Sequence, residues 1–207
     1  MRNRVIGLCV IALFAGSCGT SQTLPLSQER PTQPPMRGSA LSPVQALRAS
    51  AEQGNPEAQF NLGILYDQGR GLPKDKQEAV RWYRRAAMQA DTFAQNALGD
   101  NYWEGTGVPK DDREAVRWWR LAADKGFAPA QHSLGKLLAG GGQGVQVDKP
   151  QAYMWLMLSA AQGDDEAARQ SDLLAKQLRP SEVANAKKLV TQWKPIVART
   201  RANKILQ

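Results

Sequence analysis

The sequence predicts an all-α protein: an α-solenoid of stacked antiparallel helix pairs, with about three full repeats of 36–37 residues plus capping helices. Three observations predict it. The stretch 58–75, AQFNLGILYDQGRGLPKD, returns at 94–111 as AQNALGDNYWEGTGVPKD, and a worn third copy opens with AQHSLG at Ala130. Laying 58–93 over 94–129 gives 18 identities in 36. Those identities keep helical spacing. Ala58, Leu62 and Tyr66 recur as Ala94, Leu98 and Tyr102, and Ala79, Trp82 and Ala86 recur as Ala115, Trp118 and Ala122. A period of this length, with two apolar stripes per copy, is that of helix pairs that bury their faces on their neighbours.

The chain before the repeats has a different character. Arg2 and Arg4 precede an apolar run over 5–15, followed by Gly16, Ser17 and Cys18. The run is shorter than the ~20 residues a membrane-spanning helix needs, and its layout is that of a secretory signal peptide over 1–17. Ala15-Gly16-Ser17-Cys18 resembles a bacterial lipobox, with Ala15 where Leu is usual, which implies lipidation of Cys18. Gly19 in place of Asp after the Cys implies the outer membrane, facing the periplasm. The plain alternative is cleavage after Ser17, which gives a soluble periplasmic or secreted protein. Residues 18–42 then supply Ser, Thr, Gln and four prolines with little to bury, the composition of a disordered tether.

The solenoid is expected over 43–168. Residues 43–53 align with the second helix of a repeat that lacks its first, and would cover the open face of the first full unit. Inside each unit, Gly69 and Gly71 (Gly105 and Gly107) can take positive φ and stop the first helix, and Pro73 and Pro109 stiffen the approach to the second. Asp75 with Glu78, Asp111 with Glu114, and Asp148 with Gln151 have capping-box spacing, in which the third residue points back to the cap. Gly63 and Gly99 leave room for a neighbouring helix. Asn55, Asp91 and Asp164 are natural caps for the first helices. Ala90 stands where the other inter-repeat turns have Gly54, Gly126 and Gly163, a position that predicts positive φ. In the third unit Leu138 replaces Tyr, Gln146 replaces Pro, and GGGQG has one extra residue, so a looser turn is expected there.

Capping helices and a basic tail are expected over 169–207. Residues 169–178 finish a last first-type helix, and 181–194 read as a closing helix with Val183, Ala186, Val190 and Trp193 at three-and-four spacing. The formal charge of +8 falls to +6 if Arg2 and Arg4 leave with the signal, and from Lys176 onward eight Lys or Arg face only Glu182. Such an end could meet an anionic polymer or lipid headgroups. No nucleic-acid motif accompanies the charge.

Residues for catalysis do not assemble. His132 is the single histidine, and Ser133 beside it points about 100° away on a helix, so neither a metal site nor a dyad is expected. The glycine-rich turns lack the Lys-Ser or Lys-Thr of a phosphate loop and the alternating acids of a calcium loop. Trp82, Trp118 and Trp155 recur at one position and are expected in the core. No enzyme activity and no cofactor are expected.

The segment AQFNLGILYDQGRGLPKDKQEAVRWYRRAA resembles the Sel-one-like repeat, a relative of the tetratricopeptide repeat, over about 44–168. The resemblance implies a right-handed α-solenoid used in protein–protein recognition, frequently in bacterial envelope proteins. In the related tetratricopeptide geometry the first helices line the concave face. That geometry implies a partner-binding groove of Phe60, Ile64 and Asp67, of Asn96, Asp100 and Trp103, and of His132 and Lys136. Two functions follow as expectations. One is an envelope-tethered, non-catalytic adaptor gripping a protein or peptide in this groove. The other is a cell-wall or polysaccharide-binding lipoprotein acting through the basic end and exposed aromatics, whose binding would fall steeply with salt.

Overall fold

The first two units, and the helix that follows the third, begin where a short polar side chain satisfies a free helix end, while the third begins at Phe127 without a side-chain cap. In the computed structural model, which describes residues 41–196, Asn55, Asp91 and Asp164 accept from the backbone N–H of Ala58, Ala94 and Ala167 at 2.8–3.0 Å. Among the described residues there are nine helices: α1 (Pro43–Glu52), α2 (Pro56–Gln68), α3 (Lys76–Met88), α4 (Thr92–Glu104), α5 (Asp112–Ala123), α6 (Ala128–Gly140), α7 (Lys149–Ala160), α8 (Asp165–Ala175) and α9 (Pro180–Gln192). Pairs α2–α3, α4–α5 and α6–α7 are the three units, and α1 covers the first, as an all-α solenoid requires. The expected signal, Cys18, most of the tether and residues 197–207 lie outside the described residues. No helix among the described residues is long and apolar enough to cross a membrane.

The pairs close because one helix of each carries a glycine where the other carries a large side chain. A methyl group on Gly63 would meet the Tyr83 ring at 2.6 Å, and one on Gly135 would meet Leu156 at 2.8 Å; one on Gly99 would collide with the Trp119 indole. Between these contacts Leu62, Leu98 and Leu134 are fully buried, and the repeated tryptophans reach across the seams: Trp82 clusters with Ala51 and Ala58, and Trp118 with Ala79, Ala86 and Ala94. The turn then folds back on its own first helix. Asp75, Asp111 and Asp148 each donate a backbone N–H to Tyr66, Tyr102 and Leu138 carbonyls at 2.9 Å. Gly105 ends α4 at φ 75°, and Gly107 lies so close to the Lys76 carbonyl of the preceding unit that no side chain fits.

Successive units are joined by a buried glutamine that the repeat carries at Gln59, Gln95 and Gln131. Each Nε2 donates to a carbonyl near the end of the preceding helix: Ala51 at 3.0 Å, Ala87 at 3.2 Å and Ala123 at 3.1 Å. Each Oε1 accepts from the other side, from Gln89, Lys125 and Gln162 at 2.8 Å. A second link recurs beside it. Arg48 and Arg84 donate to the Tyr66 and Tyr102 hydroxyls at 2.7 Å. Leu138 offers no hydroxyl, and the equivalent Arg120 turns to Gln151 Oε1 at 2.9 Å.

Two expectations need correction. The capping aspartates work, but Glu78 and Glu114 do not point back; they pair with Arg81 and Arg117 one turn on, where an opposite charge is available. Gln151 reaches the Asp148 carboxylate itself at 3.0 Å. The third turn is longer yet not loose. Gly142 and Val145 bridge each other, Gln143 N–H donates to Asp112 Oδ2 at 2.6 Å, and Arg113 Nε donates to the Gly144 carbonyl at 3.0 Å. Beyond the third unit, α8 crosses residue 168, as a last first-type helix finishing after it requires, and α9 packs against α7. Val183, Ala186, Val190 and Trp193 join the core of the third unit, as their spacing predicts.

Ala90 has φ 66°, alone among the non-glycine residues described, while Gly54, Gly126 and Gly163 at the equivalent turns have φ 90–93°. Its Cβ crowds the backbone there. Ala90→Gly should therefore stabilise the protein by ~1 kcal/mol, read from the midpoint of chemical unfolding. A lowered midpoint would show that the turn bears no such strain.

Candidate functional site

The first helices form the inner row of the stack, where α4 meets α6 and α6 meets α8. Between them opens a cavity of about 670 Å³ whose lining includes Asp100, Trp103 and Glu104 from α4 and His132, Lys136 and Leu137 from α6. Trp119 of α5 forms its floor, and Gln162, Gly163 and Asp164 close the end before α8. Four groove residues expected from sequence are thus brought together: Asp100, Trp103, His132 and Lys136. The other four lie elsewhere. Asn96 sits beneath Asp100, donating to its Oδ2 at 2.9 Å. Phe60 and Ile64 are half-buried against the core of the second unit, and Phe60 packs on Tyr83 and Phe93. Asp67 pairs with Lys76 in a separate cleft of about 200 Å³.

Trp103 stands at the last turn of α4 and is 38% exposed. Its ring rests against Trp119, centroids 6.3 Å apart, with the ammonium groups of Lys110 and Lys136 each 5.8 Å from its centre. Trp119 is buried and cannot swing, because its Nε1 donates to Asp100 Oδ1 at 2.9 Å. The inner row thus presents one partly exposed aromatic on a fixed aromatic floor. Trp103 is also the most exposed of the six tryptophans; Trp82, Trp118, Trp119 and Trp155 are buried and Trp193 is half-buried. Exposed tryptophan for stacking on a sugar polymer is therefore confined to this one place.

Burial pushes the Asp100 carboxyl up to about 6, against the hydrogen bonds from Trp119 and Asn96, with the nearby Glu104 charge adding to the rise. On the opposite wall, His132 Nδ1 lies 2.7 Å from Asp164 Oδ2. Burial alone would raise the Asp164 carboxyl, but bonds from the Ala167 N–H, Ser159 and His132 outweigh it and hold it below its ordinary value. Ser159, His132 and Asp164 do not form a nucleophilic array. The Ser159 hydroxyl is buried and lies 2.8 Å from Asp164 Oδ2, the same oxygen that His132 meets, and 2.9 Å from the Ala128 carbonyl; its hydrogen-bond partners are these oxygens and not the imidazole. The pair instead fixes the ring and caps α8.

Sequence reasoning missed Trp119, Asp164 and Gln162. A signal for Trp119 existed, since Gly63 and Gly99 are each followed twenty residues later by a large aromatic, Tyr83 and Trp119. Nothing local ties Asp164 to His132, 32 residues away.

Three consecutive Sel1 repeats match the chain, over 56–91, 92–127 and 128–164, one for each unit of the fold. The chain belongs to the Sel1 repeat family. It is similar to a Sel1 repeat protein from Oxalobacter formigenes, with 38% identity, a TM-score of 0.58, and 62% of this chain and 52% of that chain covered. It is also similar to c5321, a protective antigen of uropathogenic Escherichia coli with an SLR fold: 29% identity, TM-score 0.56, covering 73% of this chain and 41% of that one. The chain thus spans about half the length of these solved relatives or less. No curated protein matches it significantly. Sel1 repeats generally mediate protein–protein interaction and are typically non-catalytic scaffolds.

The raised Asp100 has a consequence for stability. A carboxyl whose folded value exceeds its ordinary 3.8 contributes stability that is full below 3.8 and is lost as pH rises through about 6. Asp100→Asn removes the buried charge and keeps an acceptor for Trp119, while Asn96 can turn its unpartnered buried Oδ1 toward the new amide. Its Tm should exceed that of the wild type above about pH 6, and the gap should shrink on acidification toward 3.8. A gap independent of pH would show that Asp100 is not destabilised by ionisation.

Proposed function

We propose that this Sel1-repeat chain is a non-catalytic adaptor, tethered to the bacterial cell envelope, that holds a protein or peptide partner in the groove between its first helices. One observation carries the proposal: the inner row is where the units stop repeating. The core positions Ala58/Ala94/Ala130 and Leu62/Leu98/Leu134 are identical, whereas the first-helix positions Asp67/Trp103/Ala139 and Ile64/Asp100/Lys136, of which Trp103, Asp100 and Lys136 line the cavity, differ in size and charge. The cavity that results sits on a rigid support and offers an exposed aromatic, the side-chain type that dominates the energy of protein interfaces. The tether is supported by sequence alone. The charged start, the short apolar run and Cys18 favour a lipid anchor in the outer membrane, with residues 18–42 holding the solenoid in the periplasm.

The groove is tested by comparing two tryptophans. Trp118 is buried among Ala79, Ala86, Ala94 and Leu98, so Trp118→Ala should cost ~3–5 kcal/mol in unfolding. Trp103→Ala should leave the unfolding midpoint nearly unchanged and weaken capture of envelope partners by ~2 kcal/mol or more. Equal capture by folded Trp103→Ala would place partner binding elsewhere. The anchor is tested by the intact mass of the mature protein, which should begin at Cys18 and carry added acyl mass. An unmodified Cys18 removes the membrane from the proposal.

A further inference from the structure

The cavity is electrically lopsided. Asp164 is paired with His132, but the two α4 carboxylates have only neutral partners: Asp100 accepts from the Trp119 indole and the Asn96 amide, and Glu104 from the Thr106 hydroxyl at 3.0 Å. Among the described residues no ion pair engages Asp100 or Glu104. Lys110 is paired with Asp112, and Lys136 lies over Trp103 on the α6 wall with its charge in water. Asp100 and Glu104 are four apart and share one face of α4, at the carbonyl end of that helix, where the helix dipole also favours a cation.

We propose that the cavity takes a lysine or arginine side chain presented by a peptide segment of the partner protein, its charge at Asp100 and Glu104 and its methylenes along Trp103 and Trp119. This rests on the groove reading above and specifies the partner's chemistry. The long basic side chains are the ones that combine an apolar stem with a charged head, matching an aromatic floor that ends in carboxylates. An acidic anchor would meet three carboxylates, Asp100, Glu104 and Asp164, with Lys136 as its one uncommitted cation in the lining. An aliphatic anchor would leave the half-buried Asp100 charge as poorly compensated as before. The volume of about 670 Å³ exceeds what one side chain fills and leaves room for the flanking backbone.

The test begins with a random-peptide display library selected against the whole chain. Selected peptides are then synthesised with a fluorophore, and their affinities measured by anisotropy, with each basic residue exchanged for norleucine or glutamate. The protein is used as wild type, Glu104→Gln, Asp100→Asn/Glu104→Gln and Trp103→Ala, each checked for helicity and Tm. Glu104→Gln alters an exposed side chain and keeps the test open if the double variant folds poorly. A shared lysine or arginine should emerge, and its exchange for norleucine should weaken binding at least about tenfold. The norleucine peptide should then be indifferent to the carboxylate changes, because the two losses are one interaction. Peptides that need Trp103 but carry no basic residue, or whose basic residue is not coupled to Asp100 or Glu104, overturn the cationic anchor and leave the groove standing. Peptides indifferent to Trp103→Ala, or no selected peptides at all, overturn both.

Discussion

The stack depends on how a helix end is satisfied inside a protein. The last carbonyls of an α-helix have no partner within it, and a helix end covered by the next repeat unit has no water to turn to. Here the turn N–H groups of Gly54, Ala90 and Gly126 reach back to the Ala51, Ala87 and Ala123 carbonyls, and Gln59, Gln95 and Gln131 give each of these carbonyls a second donor. A buried amide has two ends to satisfy, and the acceptor end draws in Gln89, Lys125 or Gln162 from the following turn. Each seam therefore ties together a helix end, a helix start and the next turn. A unit displaced by one residue would leave the buried side-chain amide without its partners, so this polar contact sets the register of an otherwise apolar interface.

Within a unit the constraint is steric. Glycine on the first helix and a large side chain on the second let the two backbones come close, and the pairing of Gly99 with Trp119 has a further effect. Trp119 is pressed between helices and reaches through to Asp100 on the inner face. The same residue therefore closes the second unit and floors the groove. Packing has in this way prepared the groove: its aromatic floor and its carboxylate are immobilised by the fold, and a partner would not have to order them.

The seams are not identical, and the differences fall where the repeat degenerates. Leu138 removes a hydroxyl, so Arg120 turns to Gln151. The extra residue of the third turn is absorbed by a bridge between Gly142 and Val145 that docks on Asp112 and Arg113 of the second unit. Sequence divergence there changed the partners and kept the contacts. At the inner row divergence had the opposite outcome, replacing one side chain by another of different charge or size, which is how one scaffold acquires a particular surface.

The sequence by itself determined the fold, because the fold is local information repeated. The steps of four along Ala58, Leu62 and Tyr66, the caps Asn55 and Asp91, and the glycines of each turn act within a few residues, and repetition shows which are structural. Even the positive φ of Ala90 was legible, since three glycines mark its place in the other turns. The groove was half legible. Spacing on a helix places Asp100 and Trp103 on one face, but it cannot say that Asn96 is spent on Asp100 or that Asp67 is spent on Lys76. Tertiary structure alone decided that His132 meets Asp164, that Trp119 lies under Trp103, and that α9 folds onto α7. These are meetings between residues of different helices, fixed by the angle and distance at which whole units stack, and no short-range pattern in the chain encodes those.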